Sequence, residues 1–359
     1  MNDKIKHFFT SGNTSKDLNL FLDFITNQET LNKKFLLKSK SLFLKSSLIE
    51  NIGEQFRKNG YEVEYYHCAY DKNLLDGIII KKLNIALLNS SLLNDTDSYT
   101  GYEVLDLEEN LSKDNLKKYT EMQNDTETEI RSALDRFYRF IEAARLMQED
   151  WGYCNKLAVD YSKLTAVIQD LKSKIFTAHP HKTPGKSRHL FATALTQNGI
   201  VSFIDTLCSS LKKVYVLNGD PGTGKNMVLK SIYREALKKG LYVEVYHHPL
   251  IEDKLEHIII PELNTALITS NEINKSQFNG MQIYMNNLID YSKINKSDVE
   301  KDKTNFYFFL NKSLSIIGTN KNLQNNLEKY YFKNIDSEAL SITCRKFLAE
   351  LKECERQKP

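Results

Sequence analysis

KVYVLNGDPGTGKNMVLK, residues 213–230, decides the fold. Lys213 to Leu217 form a short run rich in β-branched and aromatic types, which reads as a strand. Glycines follow at 219, 222 and 224, and then Lys225. Beyond Asn226 the apolar residues recur at helical spacing, with Val228, Ile232 and Ala236 on one face and Leu229, Tyr233 and Leu237 beside them. Gly240 ends that pattern as a helix C-terminal stop does. Strand, glycine turn and helix in this order are the setting of a phosphate-binding loop, G-x-x-x-x-G-K followed by Ser or Thr. In such a loop the glycines let backbone N–H groups wrap close around phosphates, and the helix N-terminus adds partial positive charge. Gly219, Asp220, Pro221, Gly222, Thr223, Gly224, Lys225, Asn226 and Met227 are therefore the candidate nucleotide-binding residues. Asn226 stands where the pattern has a hydroxyl. Its amide oxygen is a candidate Mg²⁺ ligand, bulkier than a hydroxyl and set at a different distance. Nucleotide binding is expected to survive this change, while metal placement and hydrolysis stay open.

The chain is written twice. Residues 60–91 align without a gap on residues 240–271, a constant offset of 180, with about 14 of 32 positions identical. Weaker matches continue upstream, where the offset slips to 182 and Phe9 meets Phe191, and FLDFI meets FIDTL. Between the copies, TAHPHKTPGKSRH holds two prolines and a glycine and reads as the linker. The copies are then about 1–178 and 179–359. Each opens with strand, helix and strand, which predicts an α/β fold with a parallel sheet flanked by helices. Each closes with a helical part, about 103–175 and 281–359. In the first, Ile130, Leu134, Phe137, Tyr138, Ile141 and Ala144 make one apolar stripe. Leu157, Leu164, Val167, Ile168, Leu171 and Ile175 make a second after Trp151-Gly152. Two such stripes predict an antiparallel helical hairpin appended to, and packed on, its own sheet.

The offset of 180 places SKSLFLKS, Ser39 to Ser46, on the glycine loop. Lys45 falls on Lys225 and Ser46 on Asn226, but every glycine is replaced, so this copy reads as a lost nucleotide site. The alternative is a remodelled loop that uses Lys45 and Ser46. An acid at the end of a neighbouring strand normally holds Mg²⁺ in such proteins. The candidate strands, NTALITSN and NIALLNSS, end without one. Glu256, Glu262 and Asp76 are nearby in sequence as substitutes or as ordinary solvated charges. His247, at the end of the second strand, is a further candidate for nucleotide or acid–base contact, or a simple strand cap.

A formal net charge of +3 over 359 residues argues neither for nor against nucleic acid. Most of the basic stretch 31–47 is accounted for as strand and altered loop, so nucleic acid is not the expected partner. No apolar run reaches the roughly 18 residues of a membrane span, and the first residues do not read as a signal peptide. Five scattered cysteines without C-x-x-C spacing suggest neither zinc nor a disulfide framework. A cytoplasmic location fits these features.

FFTSGNTSK, GYEVEYYHC, LDGIII, RHLFATALT, GDPGTGK, VEVYHHP and IIIPEL together resemble the tandem P-loop ATPases of Gram-positive spore-forming bacteria, along nearly the whole chain. The resemblance implies two tandem P-loop NTPase-like domains and ATP as ligand. In that family both halves carry a complete glycine loop ending in Lys-Ser; here the first has no glycines and the second has Asn226. The expected function is ATP binding, with single-site ATPase activity in the C-terminal copy. The alternatives are a nucleotide-binding module without turnover that signals to a protein partner, and a small-molecule phosphotransferase.

Overall fold

A computed structural model describes residues 5–14, 17–20, 31–93, 99–110, 113–177, 183–275 and 277–356. FLDFI and part of the linker, 178–182, lie outside them. The N-terminal copy contains β1 (Lys6–Phe9), β2 (Ser11–Thr14), β3 (Asp17–Leu20), β4 (Lys33–Lys38), helix α1 (Leu42–Lys58), β5 (Val63–His67), β6 (Leu75–Ile80), β7 (Ile85–Asn89) and β8 (Glu103–Asp106). The long α2 (Lys113–Leu157) and α3 (Tyr161–Ile175) follow. The C-terminal copy repeats the order. It runs β9 (Ser187–Leu190), β10 (Thr193–Thr196), β11 (Gly199–Ser202), α4 (Ile204–Cys208), β12 (Lys213–Asn218), α5 (Lys225–Lys238), β13 (Val243–His247), β14 (Leu255–Ile260), β15 (Thr265–Ser270) and β16 (Met281–Tyr284). Two helices, α6 (Lys296–Asn334) and α7 (Ser337–Arg356), end it.

Each copy builds a six-stranded sheet of the same order, β1-β5-β6-β7-β4-β8 and β9-β13-β14-β15-β12-β16. The sheets are mixed, not parallel as expected: β6 and β14 run antiparallel to both neighbours. The connections decide this, because a parallel crossover needs a dozen or more residues. Only residues 68–74 separate β5 from β6, and the β6–β7 and β14–β15 turns are shorter still. Those two turns carry Asn84 (φ 54°) and Asn264 (φ 48°), repeat-related residues in the left-handed region that asparagine tolerates. Edge strands β8 and β16 occupy the start of the segments read as helical; four residues are too few to show a period.

The inner faces of the sheets pack on each other through residues such as Phe8, Leu36, Tyr66 and Ile79 from one and Val216, Tyr246, Ile259 and Ile268 from the other. Phe9 N donates to Phe191 O at 2.9 Å between the two copies, joining residues that the repeat makes equivalent. Helices cover the outer faces, but not as expected. Leu164, Leu171 and Ile175 of α3 pack with Val228, Leu229 and Ile232 of α5, on the other copy's sheet. Reciprocally, Leu327 and Tyr331 of α6 and Phe347 and Leu351 of α7 pack with Ile49, Ile52 and Phe56 of α1. The antiparallel helix pair forms between copies: α2 lies along α6, with Tyr119 against Tyr331 at one end and Trp151 against Phe306 at the other. The copies therefore exchange their helical tails. Trp151-Gly152 does not break α2; the break comes at residues 158–160, where Asp160 caps α3 through Ser162 N and Lys163 N. One glycine inside a helix costs about 1 kcal/mol, which 45 residues of packed helix absorb.

Candidate functional site

The loop between β12 and α5 is built by its glycines. Gly222 (φ 79°) and Gly224 (φ 97°) both lie in the left-handed region. The exchanged tail crowds them as well: a Cβ on Gly222 would stand 1.9 Å from Gly152 O, and one on Gly224 would stand 2.9 Å from Leu164 Cδ2. Asn155 Nδ2 donates to Pro221 O at 2.7 Å, fixing the end of α2 to the loop. Inside the loop, Thr223 Oγ1 donates to Asp220 O at 2.8 Å, and Asp220 N donates to Asn286 Oδ1 at 2.9 Å. The Lys225 ammonium folds back to donate to Gly219 O and, at 2.7 Å, to Asp220 O. Burial lowers its pKa against the opposing pull of Glu272 and Asp220.

A cavity of about 460 Å³ opens at this loop, and both copies line it. Gln148, Gly152 and Tyr161 come from the exchanged tail, and Lys225, His248 and Glu272 from the C-terminal copy. Glu272 lies two residues past β15, beyond the strand end where such an acid is expected. Its Oε1 accepts from Gln148 Nε2 and faces His248 Nε2 at 3.4 Å. His248 Nδ1 accepts from Leu250 N, so the proton sits on Nε2 and points at the carboxylate. Burial pushes the Glu272 carboxyl up, but the His248 hydrogen bond and the Lys225 charge prevail and bring it to about 2. Its Oε2 is buried without a hydrogen-bond partner among the described residues. Lys254 also lines the cavity, its pKa lowered by burial.

Other candidates lie elsewhere. Asn226 borders the cavity, but its Oδ1 accepts from Leu255 N at 3.1 Å. Ser46 does the same for Leu75 N at 2.8 Å. Both side chains tie the N-terminal part of their helix to the neighbouring strand, which is a structural task. His247 is outside the cavity. Its Nδ1 donates to Glu252 O, which leaves Nε2 to accept from His189 Nδ1 at 2.7 Å. The pair recurs as His67 and His7 at 2.9 Å, with His67 Nδ1 donating to Lys72 O at 2.6 Å. Glu256 is buried outside the cavity lining, accepting from Asn271 Nδ2 at 3.2 Å and facing His257 Nε2 at 3.4 Å. Glu262 is exposed in the β14–β15 turn, and Asp76 accepts from Thr10 Oγ1 at 2.9 Å in the other copy. Lys45 stays in its own copy, donating to Ser91 Oγ at 2.8 Å; burial brings its pKa to about 8 despite Asp76 and Glu328.

The N-terminal loop has become helix. α1 starts at Leu42, the position of Gly222, with Ser41 as its N-cap. Glu328 of α6 closes that helix end: it accepts from Ser41 Oγ and, at 2.9 Å, from Leu42 N. Carboxylates are stabilised at helix N-termini by the same N–H groups and dipole that hold phosphates. Only about 130 Å³ of cavity remains there, against about 460 Å³ in the C-terminal copy. In the tails the repeat offset is 176, set by the equivalent caps Asp160 and Asp336. Glu328 is then the counterpart of Gly152.

Among the described residues no group of three or more His, Cys, Asp or Glu is placed to hold a metal, and no helix is long and apolar enough to cross a membrane. Comparison with protein-family models, curated proteins and solved structures gives no match.

Proposed function

We propose that the C-terminal copy binds ATP at residues Gly219–Met227 and is a single-site P-loop NTPase of low turnover. The observation that carries this reading is the convergence of three features on one cavity: the glycine loop, the Lys225 ammonium and the buried carboxylate of Glu272. Lys225 would exchange loop carbonyls for the outer phosphates, and the N-terminus of α5 would add its N–H groups and dipole. The cavity is within the ~300–1,000 Å³ usual for small-molecule sites.

The residues fit Mg²⁺, which typically takes one or two carboxylates together with substrate phosphates and water. Glu272, with a buried oxygen still unpaired, would hold it, and Mg²⁺ would neutralise charge on the phosphoryl group. Asn226 is not needed for this, because its oxygen serves Leu255. Gln148 and His248 hold the Glu272 carboxylate in position. The same use of Asn226 favours a second reading, binding without turnover, in which occupancy stabilises the interlocked copies for a protein partner.

Calorimetric titration with ATP and ADP, with and without Mg²⁺, tests the proposal on the wild-type chain and Lys225→Ala. Losing a charge-assisted hydrogen bond worth about 1.5–3 kcal/mol should weaken ATP binding by about tenfold or more. Equal affinity in both proteins would remove the site from this loop. Mg²⁺-dependent phosphate release by the wild type, abolished in Glu272→Gln, separates the ATPase from the binding module.

A further inference from the structure

The cavity has two chemically different ends. Lys225, His248 and Glu272 make one of them polar. At the other, Tyr153 in the last turns of α2 and Tyr161 and Leu164 at the start of α3 line the wall with Met227 of α5. Gln148 touches Glu272, and Tyr153 and Lys156 lie five and eight residues further along α2, about 7 and 12 Å at 1.5 Å per residue. The lining therefore changes from the buried charges of Lys225 and Glu272 to exposed tyrosines, with Lys156 beside them, over the length of a nucleotide.

Tyr153, Tyr161 and Met227 are 59%, 46% and 48% exposed, although large apolar surfaces normally turn inward. Tyr161 is nevertheless held, since its hydroxyl donates to Lys156 O across the α2–α3 turn at 3.3 Å. A ring fixed in advance loses little entropy on gaining a partner.

We propose that Tyr153 and Tyr161 form a shelf that receives the nucleobase, so that the N-terminal copy's tail reads a purine whose phosphates the C-terminal copy holds. This rests on the nucleotide reading above. Flat aromatic surfaces stack on bases through dispersion and π-face complementarity, and a purine's two rings cover more of a tyrosine than a pyrimidine's one. A bound nucleotide then bridges the copies, touching the loop of one and the exchanged tail of the other.

The test compares the affinities of ATP, CTP and inorganic tripolyphosphate for the wild type, Tyr161→Phe, Tyr161→Ala and Tyr153→Ala/Tyr161→Ala, with far-UV circular dichroism confirming the fold. The wild type and the phenylalanine variant should prefer ATP over CTP and over tripolyphosphate. Tyr161→Ala should weaken ATP about tenfold and leave tripolyphosphate unchanged; the double variant should bind ATP little better than tripolyphosphate. Unchanged ATP affinity in the double variant, or equal wild-type affinity for ATP and tripolyphosphate, overturns the shelf and leaves the phosphate site standing. If neither ligand binds the wild type, the nucleotide reading itself falls, and the shelf with it.

Discussion

Replacing Glu328 by alanine tests whether the N-terminal loop has become a structural joint. The carboxylate is 1% exposed and accepts from Ser41 Oγ, Leu42 N and Gln324 Nε2, the last two at 2.9 Å. Alanine leaves the Ser41 O–H donor, whose oxygen still accepts from Leu44 N, and the Leu42 N–H without partners in a closed joint, at about 1–3 kcal/mol for each orphaned donor. Losing the anion at the helix end adds up to about 1 kcal/mol. Burial pushes the Glu328 pKa up, so removing the charge returns part of this. The balance is a loss of about 3 kcal/mol. At about 2.1 cal/mol/K per residue, unfolding 359 residues carries about 0.75 kcal/mol/K, so Tm should fall by about 4 °C. Glu328→Gln keeps an acceptor for Leu42 N and should cost about 1 kcal/mol or less. Thermal and urea unfolding would be followed by far-UV circular dichroism and by fluorescence of Trp151, the one tryptophan. Trp151 precedes Gly152, which meets the C-terminal loop, yet its signal should shift together with the dichroism, because each sheet is covered by the other copy's tail. An alanine variant as stable as wild type would refute the joint, and a fluorescence transition left behind at the wild-type temperature would refute the interlock.

Arg188 spans the copies, donating to both Glu64 oxygens at 3.0 and 3.1 Å with both partners buried. Arg188→Met should cost about 3 kcal/mol, the lower end for breaking a buried pair, since Lys81 remains 3.1 Å from Glu64; a urea midpoint within error of wild type would contradict this. Stability should also fall as pH drops from about 6.5 to 4. Burial, reinforced by the paired histidine, lowers His67 and His189 to about 4, and burial lowers His7 and His247 as well. The unfolded chain takes up these protons near pH 6.5 and the folded chain does not, so the stabilisation is complete above that pH and is lost through the folded values. Asp76, raised to about 6 by burial, works the other way, as do Glu328 and Asp302, which burial also raises, but the four lowered histidines outweigh these three carboxyls. Urea midpoints at pH 7 and pH 5 measure the difference; a higher midpoint at pH 5 would reverse the assignment.

Local signals served the sequence well. The repeat anticipated two equivalent sheets, and the glycines and Lys225 marked the loop that borders the larger cavity. Sheet direction was missed because strand patterns carry no polarity; only the short 68–74 connection, weighed against the length of a crossover, would have exposed β6 as antiparallel. Tail exchange was illegible for a related reason. The stripes on α3 and α7 identify a buried face but not its owner, and related copies offer nearly the same surface. His247 and His248 shared one motif, and pleating sends neighbouring side chains to opposite faces. Glu272 stands past the strand end where the motif places its acid, and Gln148 belongs to no motif at all.

Tail exchange also changes what each loop means. Every loop region is built from one copy's loop and the other copy's tail, so its fate depends on both. In the C-terminal copy the glycines of the loop meet Gly152, which lacks a side chain, and their backbones lie close enough that a Cβ on Gly222 would overlap Gly152 O. In the N-terminal copy leucines replace the glycines, the helix extends through Leu42, and Glu328 fills the space at its end. Each pair is self-consistent: an open loop under a glycine, and a closed helix under an acid. Restoring glycines at Leu42 and Leu44 alone would leave the Glu328 carboxylate still closing the helix end. The asymmetry of the two regions thus resides in the contacts between the copies as much as in either loop.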